Sequence, residues 1–262
     1  MDLGIGGRVA LVAAASHGLG KAVALRLALE GARVAICARS EAVEEAAREI
    51  AGASGGEVMA VRADVTDAGQ VARLAGAVRE RFGAIDICVA NAGGPPSKKF
   101  AETTVEDWRA GVDLNLMSTI HLARETLPGM RERGWGRFLT ITSVAVKQPI
   151  DGLILSNSVR AAVVGLIKTL ANEYGPYGVL VNNICPGYTA TARLEWLRAR
   201  LAAAEGVSEE EIERRWTAQI PQGRLGRVEE FADAAAFLVS ERAGYINGVS
   251  LAVDGGLSKG LM

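Results

Sequence analysis

Cysteine and histidine are scarce in this chain. Three cysteines (Cys37, Cys88, Cys185) and two histidines (His17, His121) are spread over 262 residues. The cysteines fall in apolar, strand-like stretches without metal-ligand spacing, which argues for buried free thiols in a reducing compartment. Neither histidine completes a cluster with them, so no metal is expected. Net charge is also nearly absent: 29 basic residues face 30 acidic ones, a balance of −1. Nothing concentrates positive field, so neither nucleic acid nor a membrane surface is expected as a partner. No apolar run approaches the ~20 residues that span a bilayer. The opening MDLGIGGRVALV has neither a basic n-region nor a long apolar core. No signal peptide is therefore expected, and the expected location is cytoplasmic.

What is present suits one large α/β domain. Hydrophobic residues make up 49% and charged residues 23% of the chain, and α/β folds often reach this length undivided. The stretch 10–20, ALVAAASHGLG, passes from an apolar segment into a glycine-containing turn and then a helical pattern. Such a turn after a first strand cradles phosphate. Gly18 and Gly20 lack a Cβ, so a pyrophosphate can approach the backbone and the helix can sit close to the sheet. The helix over 19–30 points its unpaired N–H groups and positive dipole end at that phosphate.

The rest alternates. Strands are expected at 8–14, 33–38, 58–62, 84–90, 137–142, 179–184 and 249–253. Helices are expected at 19–30, 41–51, 103–115, 118–133, 155–174 and 228–239, with one more capped by Thr66 or Asp67 and ending at Phe82. The alternation predicts a doubly wound, Rossmann-type parallel sheet of seven strands with helices on both faces. No repeat or linker interrupts it, so residues 1–262 form one dinucleotide-binding domain. Residues 192–218 form a charged, amphipathic helical insertion with Leu194, Leu197 and Leu201 on one stripe.

Ligands of such sheets bind beyond the carboxyl ends of the strands. Those ends deliver Ser16, His17 and Gly18, then Arg39 and Ser40, then Asp64, then Asn91-Ala92-Gly93-Gly94, then Ser143, then Pro186-Gly187-Tyr188-Thr189. Where a carboxylate would hold a free ribose, the second strand ends in Ala38-Arg39. A cation there pairs with a 2′-phosphate and favours NADP over NAD, with protonated His17 able to assist.

The order of these motifs resembles the short-chain dehydrogenase/reductase family, and within it the 3-oxoacyl-[acyl-carrier-protein] reductases, over nearly the whole chain. The family's T-G-x-x-x-G-x-G turn corresponds to 13–20, and its adenine-contacting Asp to Asp64. Its N-N-A-G corresponds to 90–93, its active-site Asn to Asn115 in DLNLM, and its catalytic Ser to Ser143 in ITSVA. P-G-x-x-x-T corresponds to 186–191, and the closing G-R-x-G-x-x-E-E and Y-x-x-G-x-x-x-x-V-D-G-G start at Gly223 and Tyr245. The resemblance implies NADP(H) held by Ser16, His17, Gly18, Leu19, Gly20, Arg39, Asp64, Val65, Asn91, Gly93, Arg160, Pro186, Gly187 and Thr189. It also implies a lid at 192–218 and a homotetramer built on the long helices and the last strand, with which the apolar C-terminal tail is compatible.

Two departures are informative. Ala13-Ala14 replaces Thr-Gly in the first turn, so the phosphate is expected slightly farther off. The family's Y-x-x-x-K reads Ser156-Asn157-Ser158-Val159-Arg160, a frame fixed by the Ala161-Ala162-Val163 that follows. Residues four apart share a helix face, so Ser156 and Arg160 both address the cleft. In the family, lysine lowers the tyrosine pKa and the phenol protonates the carbonyl oxygen. A tyrosine, with a pKa of about 10, needs only a modest shift to act as an acid. A serine hydroxyl is far weaker and shorter. Arg160 can donate to ribose hydroxyls but stays charged and shuttles no proton. Losing a general acid costs about 10²- to 10⁴-fold in rate. Lys147 and Tyr188 are the other proton sources within reach of the same strand ends.

The expected catalytic set is thus Ser143, Asn115, Ser156 and Arg160. The expected activity is an NADP-dependent oxidoreductase with an atypical proton relay, acting on a small-molecule or acyl-thioester carbonyl. A nucleotide-binding protein without reductase activity (a sensor or assembly partner) is the alternative. A third reading is a reductase-like fold turned to elimination or epimerisation.

Overall fold

The computed structural model describes residues 2–260; Leu261 and Met262, the last of the apolar tail, lie outside the described residues. The chain alternates β1 (Val9–Val12), α1 (Gly18–Leu29), β2 (Arg33–Ala38), α2 (Ala42–Ser54), β3 (Val58–Arg62), α3 (Ala68–Phe82) and β4 (Ile87–Ala90). It continues with α4 (Val105–Val112), α5 (Ser118–Glu132), β5 (Gly136–Ile141), α6 (Ile154–Tyr174) and β6 (Val179–Pro186). It closes with α7 (Ala192–Glu205), α8 (Glu209–Thr217), α9 (Val228–Leu238) and β7 (Ser250–Val253). The seven strands form one sheet in the order β3-β2-β1-β4-β5-β6-β7, and every pairing is parallel. This is the expected Rossmann-type α/β fold. Its strand order reverses between β1 and β4, which opens the ligand crevice there.

The strands read as unbroken apolar runs because helices cover both faces. On one face Val23 and Leu27 of α1 and Phe231 of α9 pack on Val34 and Ile36 of β2. On the other, Val71 and Leu74 of α3, Leu122 and Leu127 of α5, and Val163 of α6 share one apolar cluster with Phe138 and Val181 of the sheet. Of the two candidate caps for α3, Asp67 takes the role: its carboxylate accepts from Gln70 N at 3.0 Å. Thr66 is unavailable because its hydroxyl donates to Asp64 Oδ1 at 2.8 Å.

Some boundaries differ from the sequence expectation. β4 starts three residues later than expected because Asp86 serves as a side-chain acceptor, its Oδ2 taking the Val9 N–H at 3.0 Å. The expected break near residue 115 is not a break. A π-helical turn over Asp113–Met117 joins α4 to α5 and places the buried Asn115 toward the sheet. One described segment, Ile154–Tyr177, is long and apolar enough by length and composition to cross a membrane, which corrects the expectation that no run approaches that size. Here α6 buries Val159, Val163, Ile167 and Ala171 within the domain.

Candidate dinucleotide cleft and active site

The turn after β1 is tightly constrained. Ala14 has φ +48°, in the left-handed region, where every other described residue with positive φ is a glycine. Gly18 in the same turn has φ +60°. A Cβ on Gly20 would lie 2.5 Å from the Ala14 carbonyl oxygen and 2.8 Å from Asn91 Nδ2, so only glycine lets α1 approach the strand ends so closely. Asn91 Nδ2 donates to that same Ala14 oxygen at 3.2 Å, tying the end of β4 to the turn. At the start of α1, His17 is extended and makes no side-chain capping bond. The first-turn N–H groups therefore remain available to an anion.

Around this turn lies a cleft of about 540 Å³. Ser16, His17, Gly18, Leu19, Gly20, Arg39, Asp64, Val65, Asn91 and Gly93 all line it. Ser16 Oγ and His17 Nδ1 are 2.9 Å apart. Glu41, the carboxylate nearest Arg39 in sequence, is paired instead with Arg62 at 3.0 Å. Arg39 has no carboxylate partner among the described residues. Asp64 is held by Thr66, whose N–H donates to its Oδ1 at 3.0 Å, and its own N–H donates to Gln70 Oε1 at 3.0 Å. Uncapped helix N–H groups, a glycine turn and a free guanidinium are a donor set that fits a dinucleotide carrying an extra phosphate.

Four expected cofactor residues are placed elsewhere. Pro186 ends β6, and the Gly187 N–H donates to Val253 O at 3.0 Å. Thr189 is buried against Gly226 in a separate surface hollow with Arg224 and Glu230. Arg160 departs most from expectation. Its Nη1 donates to Ile141 O at 3.1 Å and Thr142 O at 2.8 Å, and its Nη2 to Gly93 O at 3.5 Å. The guanidinium, expected to reach a ribose, instead clamps the end of β5 to the loop after β4. A long side chain anchored on α6 satisfies more donors on these strand-end carbonyls than it would in the open cleft. Burial pushes its pKa down to about 10.

The other catalytic candidates surround that clamp. Asn115 Nδ2 donates to Gly93 O at 3.0 Å, so Asn115 and Arg160 share one carbonyl. Ser143 follows β5 and accepts from Ala145 N at 3.1 Å, capping a short 3₁₀ turn. Ser156 is buried one turn before Arg160 on α6. Asn115 Oδ1 and Arg160 Nε have no hydrogen-bond partner among the described residues, and both residues line a small cavity with Thr119, Ile141 and Thr142. Its size suits about one water, which would accept from one orphan and donate to the other.

Comparison with known proteins agrees with this geometry. A family model described as Enoyl-(Acyl carrier protein) reductase matches residues 13–258. The chain is 38% identical over 259 residues to the monensin polyketide synthase putative ketoacyl reductase of Streptomyces virginiae, covering 95% of this chain and 97% of that one. It is 34% identical over 251 residues to the 3-oxoacyl-[acyl-carrier-protein] reductase of Escherichia coli, covering 96% and 97%. The crystal structure of L-sorbose reductase from Gluconobacter frateurii, complexed with NADPH and L-sorbose, matches over 100% of both chains with a TM-score of 0.95 at 35% identity. The chain belongs to the short-chain dehydrogenase/reductase family.

Like its relatives, this short-chain dehydrogenase/reductase is an α/β protein built around a nucleotide crevice. Thr191 caps α7 by accepting from Leu194 N at 3.3 Å. Thr191, the last residue of the P-G-x-x-x-T segment, and Arg193 line the dinucleotide cleft; Arg193 was not expected there from the sequence. The available signal was a Thr cap followed at once by a basic helical turn. Leu194, Leu197 and Leu201, the expected stripe, pack with Tyr188 and Val207 on Ala202, Ile212 and Trp216. Beneath α7 and α8 lies a second cavity of about 490 Å³, floored by the loop after β5 from Val144 to Leu153.

The two remaining proton sources differ. Burial raises the Tyr188 pKa, and no neighbouring charge opposes that shift. Lys147 lies within electrostatic reach of buried Cys185. The thiol is raised by burial, with Thr142, Lys147, Asn183 and Arg160 countering. Lys147 has no ion-pair partner among the described residues.

Proposed function

We propose that this chain is an NADP(H)-dependent carbonyl reductase, related to the ketoacyl reductases it resembles, with an altered proton relay. The observation that supports this most is the unpaired Arg39 beside an uncapped helix N-terminus, in a cleft shared with Asp64 and Asn91. The NADPH named with the L-sorbose reductase structure supports the same choice of cofactor. Ser16, His17, Gly18 and the first N–H groups of α1 would hold the pyrophosphate, and Arg39 the 2′-phosphate. When bound, the nicotinamide would supply hydride to the carbonyl carbon.

The chain's own residues then have three tasks. Ser143 donates a hydrogen bond to the carbonyl oxygen. Arg160, a buried cation bonded to three backbone carbonyls, favours the negative charge developing there. Asn115 keeps the Gly93 loop in place. The proton reaches the oxygen from Lys147, either directly or through the Ser143 hydroxyl. Tyr188 is the poorer acid, because burial moves its pKa away from working pH. Residues 192–218 act as the lid. Phe100 and Val105, 72% and 61% exposed, fit burial in a homotetramer.

Titration with NADPH and NADH, followed by nicotinamide fluorescence, tests the cofactor assignment. NADPH is expected to bind at least about tenfold more tightly, a difference of ~1.4 kcal/mol. Equal affinities would remove the role given to Arg39. A nucleotide-binding protein without turnover is the second reading, favoured by the absence of a phenol at position 156 and by the commitment of Arg160 to backbone. Tight NADPH binding with no oxidation across a panel of carbonyls would establish it.

A further inference from the structure

We propose that the cavity beneath α7 and α8 takes a neutral, fused-ring ketone. This deepens the reductase reading and rests on it for the chemistry, though the occupancy of the cavity can be measured without turnover.

The walls decide the first property. Leu197 and Leu201 of α7 and Ile212 and Trp216 of α8 face Val144 and Leu153 of the floor. On the wall of this space Tyr188 and Trp216 stack on each other, with ring centroids 5.1 Å apart and planes 12° from parallel. Trp216 is 7% exposed and packs in the apolar cluster with Ala202 and Ile212. The aromatic surface is thus held in place before any ligand arrives, and a flat ligand orders little on binding. An open-chain polyhydroxy ketone would press hydroxyls against Val144, Leu153, Leu197, Leu201 and Ile212, which offer them no partners.

Charge decides the second property. Among the described residues Arg215 is the one cationic side chain on the lining. Its Nη1 is paired with Glu205 at 2.6 Å and its Nε with Glu211 at 2.9 Å. The other ionisable residues on that lining, Asp151 and Glu205 among them, are acidic or held by burial. A substrate carboxylate, or the phosphates of a coenzyme A thioester, would meet carboxylates and a guanidinium already neutralised. Size agrees: about 490 Å³ falls within the range of small-molecule sites and admits a molecule of two or more fused rings. Val144 borders the cavity and directly follows Ser143, so the ketone edge of the ring system lies toward the serine.

The test uses the full chain and 2-tetralone, a neutral two-ring ketone, compared with acetoacetyl-coenzyme A and L-sorbose. Calorimetry with and without NADPH reads occupancy, and NADPH oxidation reads turnover. The expected result is 2-tetralone binding in calorimetry and a kcat/KM at least about tenfold above either competitor. Trp216→Ala should weaken 2-tetralone binding about tenfold, and Trp216→Phe, which keeps a ring and guards against a lid that merely unfolds, should restore most of it. Arg215→Gln should leave 2-tetralone binding unchanged. Calorimetric binding of 2-tetralone without NADPH oxidation would uphold the cavity assignment and sink the reductase reading. Reduction of acetoacetyl-coenzyme A or L-sorbose with no detectable 2-tetralone binding would do the reverse. Equal binding by wild type and Trp216→Ala would also overturn the assignment.

Discussion

Asn91 Nδ2 donates to the carbonyl oxygen of Ala14 at 3.2 Å, and Ala14 holds its left-handed φ of +48° under that restraint. The bond fixes the phosphate-facing turn at the cost of a strained alanine. A left-handed L-residue costs about 1–2 kcal/mol, and glycine gives back about 0.5–1 kcal/mol of that through its freer unfolded chain. Ala14→Gly is expected to raise stability by about 0.5 kcal/mol in denaturant unfolding. Asn91→Ala, which leaves the oxygen without its donor, is expected to lower stability by about 1–2 kcal/mol and to weaken NADPH binding as the turn loosens.

At the opposite end of the sheet, Glu241 serves three partners. Its Oε1 accepts from Trp135 Nε1 at 2.8 Å and from Arg8 Nη2 at 3.3 Å, and its Oε2 lies 3.5 Å from Arg137 Nη2. The two guanidinium carbons sit 3.8 Å and 4.3 Å from the same Trp135 ring centroid. Burial lowers the Arg137 pKa, and Glu241 opposes that shift. Removing the carboxylate leaves a nearly buried cation beside a second one. Glu241→Ala is expected to cost about 1–2 kcal/mol in denaturant unfolding, since the carboxylate is partly exposed, with NADPH affinity unchanged, because the cluster is remote from the cleft. A change in affinity with no loss of stability would refute that separation.

Arg160 bears on pH dependence. Its folded pKa, about 10, lies below the ordinary arginine range because of burial, so the native state disfavours its charge. The resulting penalty is complete and constant below about pH 10. It is relieved only as the pH rises above that toward the ordinary arginine pKa, a range in which the unfolded chain binds more protons and stability gains from deprotonation. Between pH 6 and 9 Arg160 therefore adds no slope to stability. Comparing wild type with Arg160→Met over that range should give two parallel profiles. A difference in stability that changes with pH there would contradict the buried, permanently charged state.

Lys147 and Tyr188 separate the two proton routes. Lys147→Met is expected to lower kcat at least about tenfold with KM for NADPH unchanged, within the span of a lost general acid. Tyr188→Phe keeps the ring that stacks on Trp216 and should alter kcat less than about threefold. The opposite ranking of the two variants would transfer the role to Tyr188.

Much of this architecture was legible in the chain. Strands such as VALV and ICVA announced themselves as apolar runs because both faces of the sheet are covered. Glycines that admit no Cβ marked the turn, and Gly20 is the clearest. The π-helical turn at Asn115 was not legible, because a one-residue slip in hydrogen bonding leaves no period in the sequence. Nor was the course of the Arg160 guanidinium. Helical spacing puts residue 160 on the right face, but the carbonyls of Ile141, Thr142 and Gly93 come together only through tertiary packing. Arg193 escaped notice for a similar reason, since its place over the cleft depends on where Thr191 starts α7.

The most direct test of the central claim restores the missing couple. Steady-state NADPH oxidation is measured for wild type and for the double variant Ser156→Tyr with Arg160→Lys, on the same ketone at saturating cofactor. The account predicts that kcat rises about 10²-fold or more. An unchanged or lower kcat in a folded, NADPH-binding double variant would contradict it.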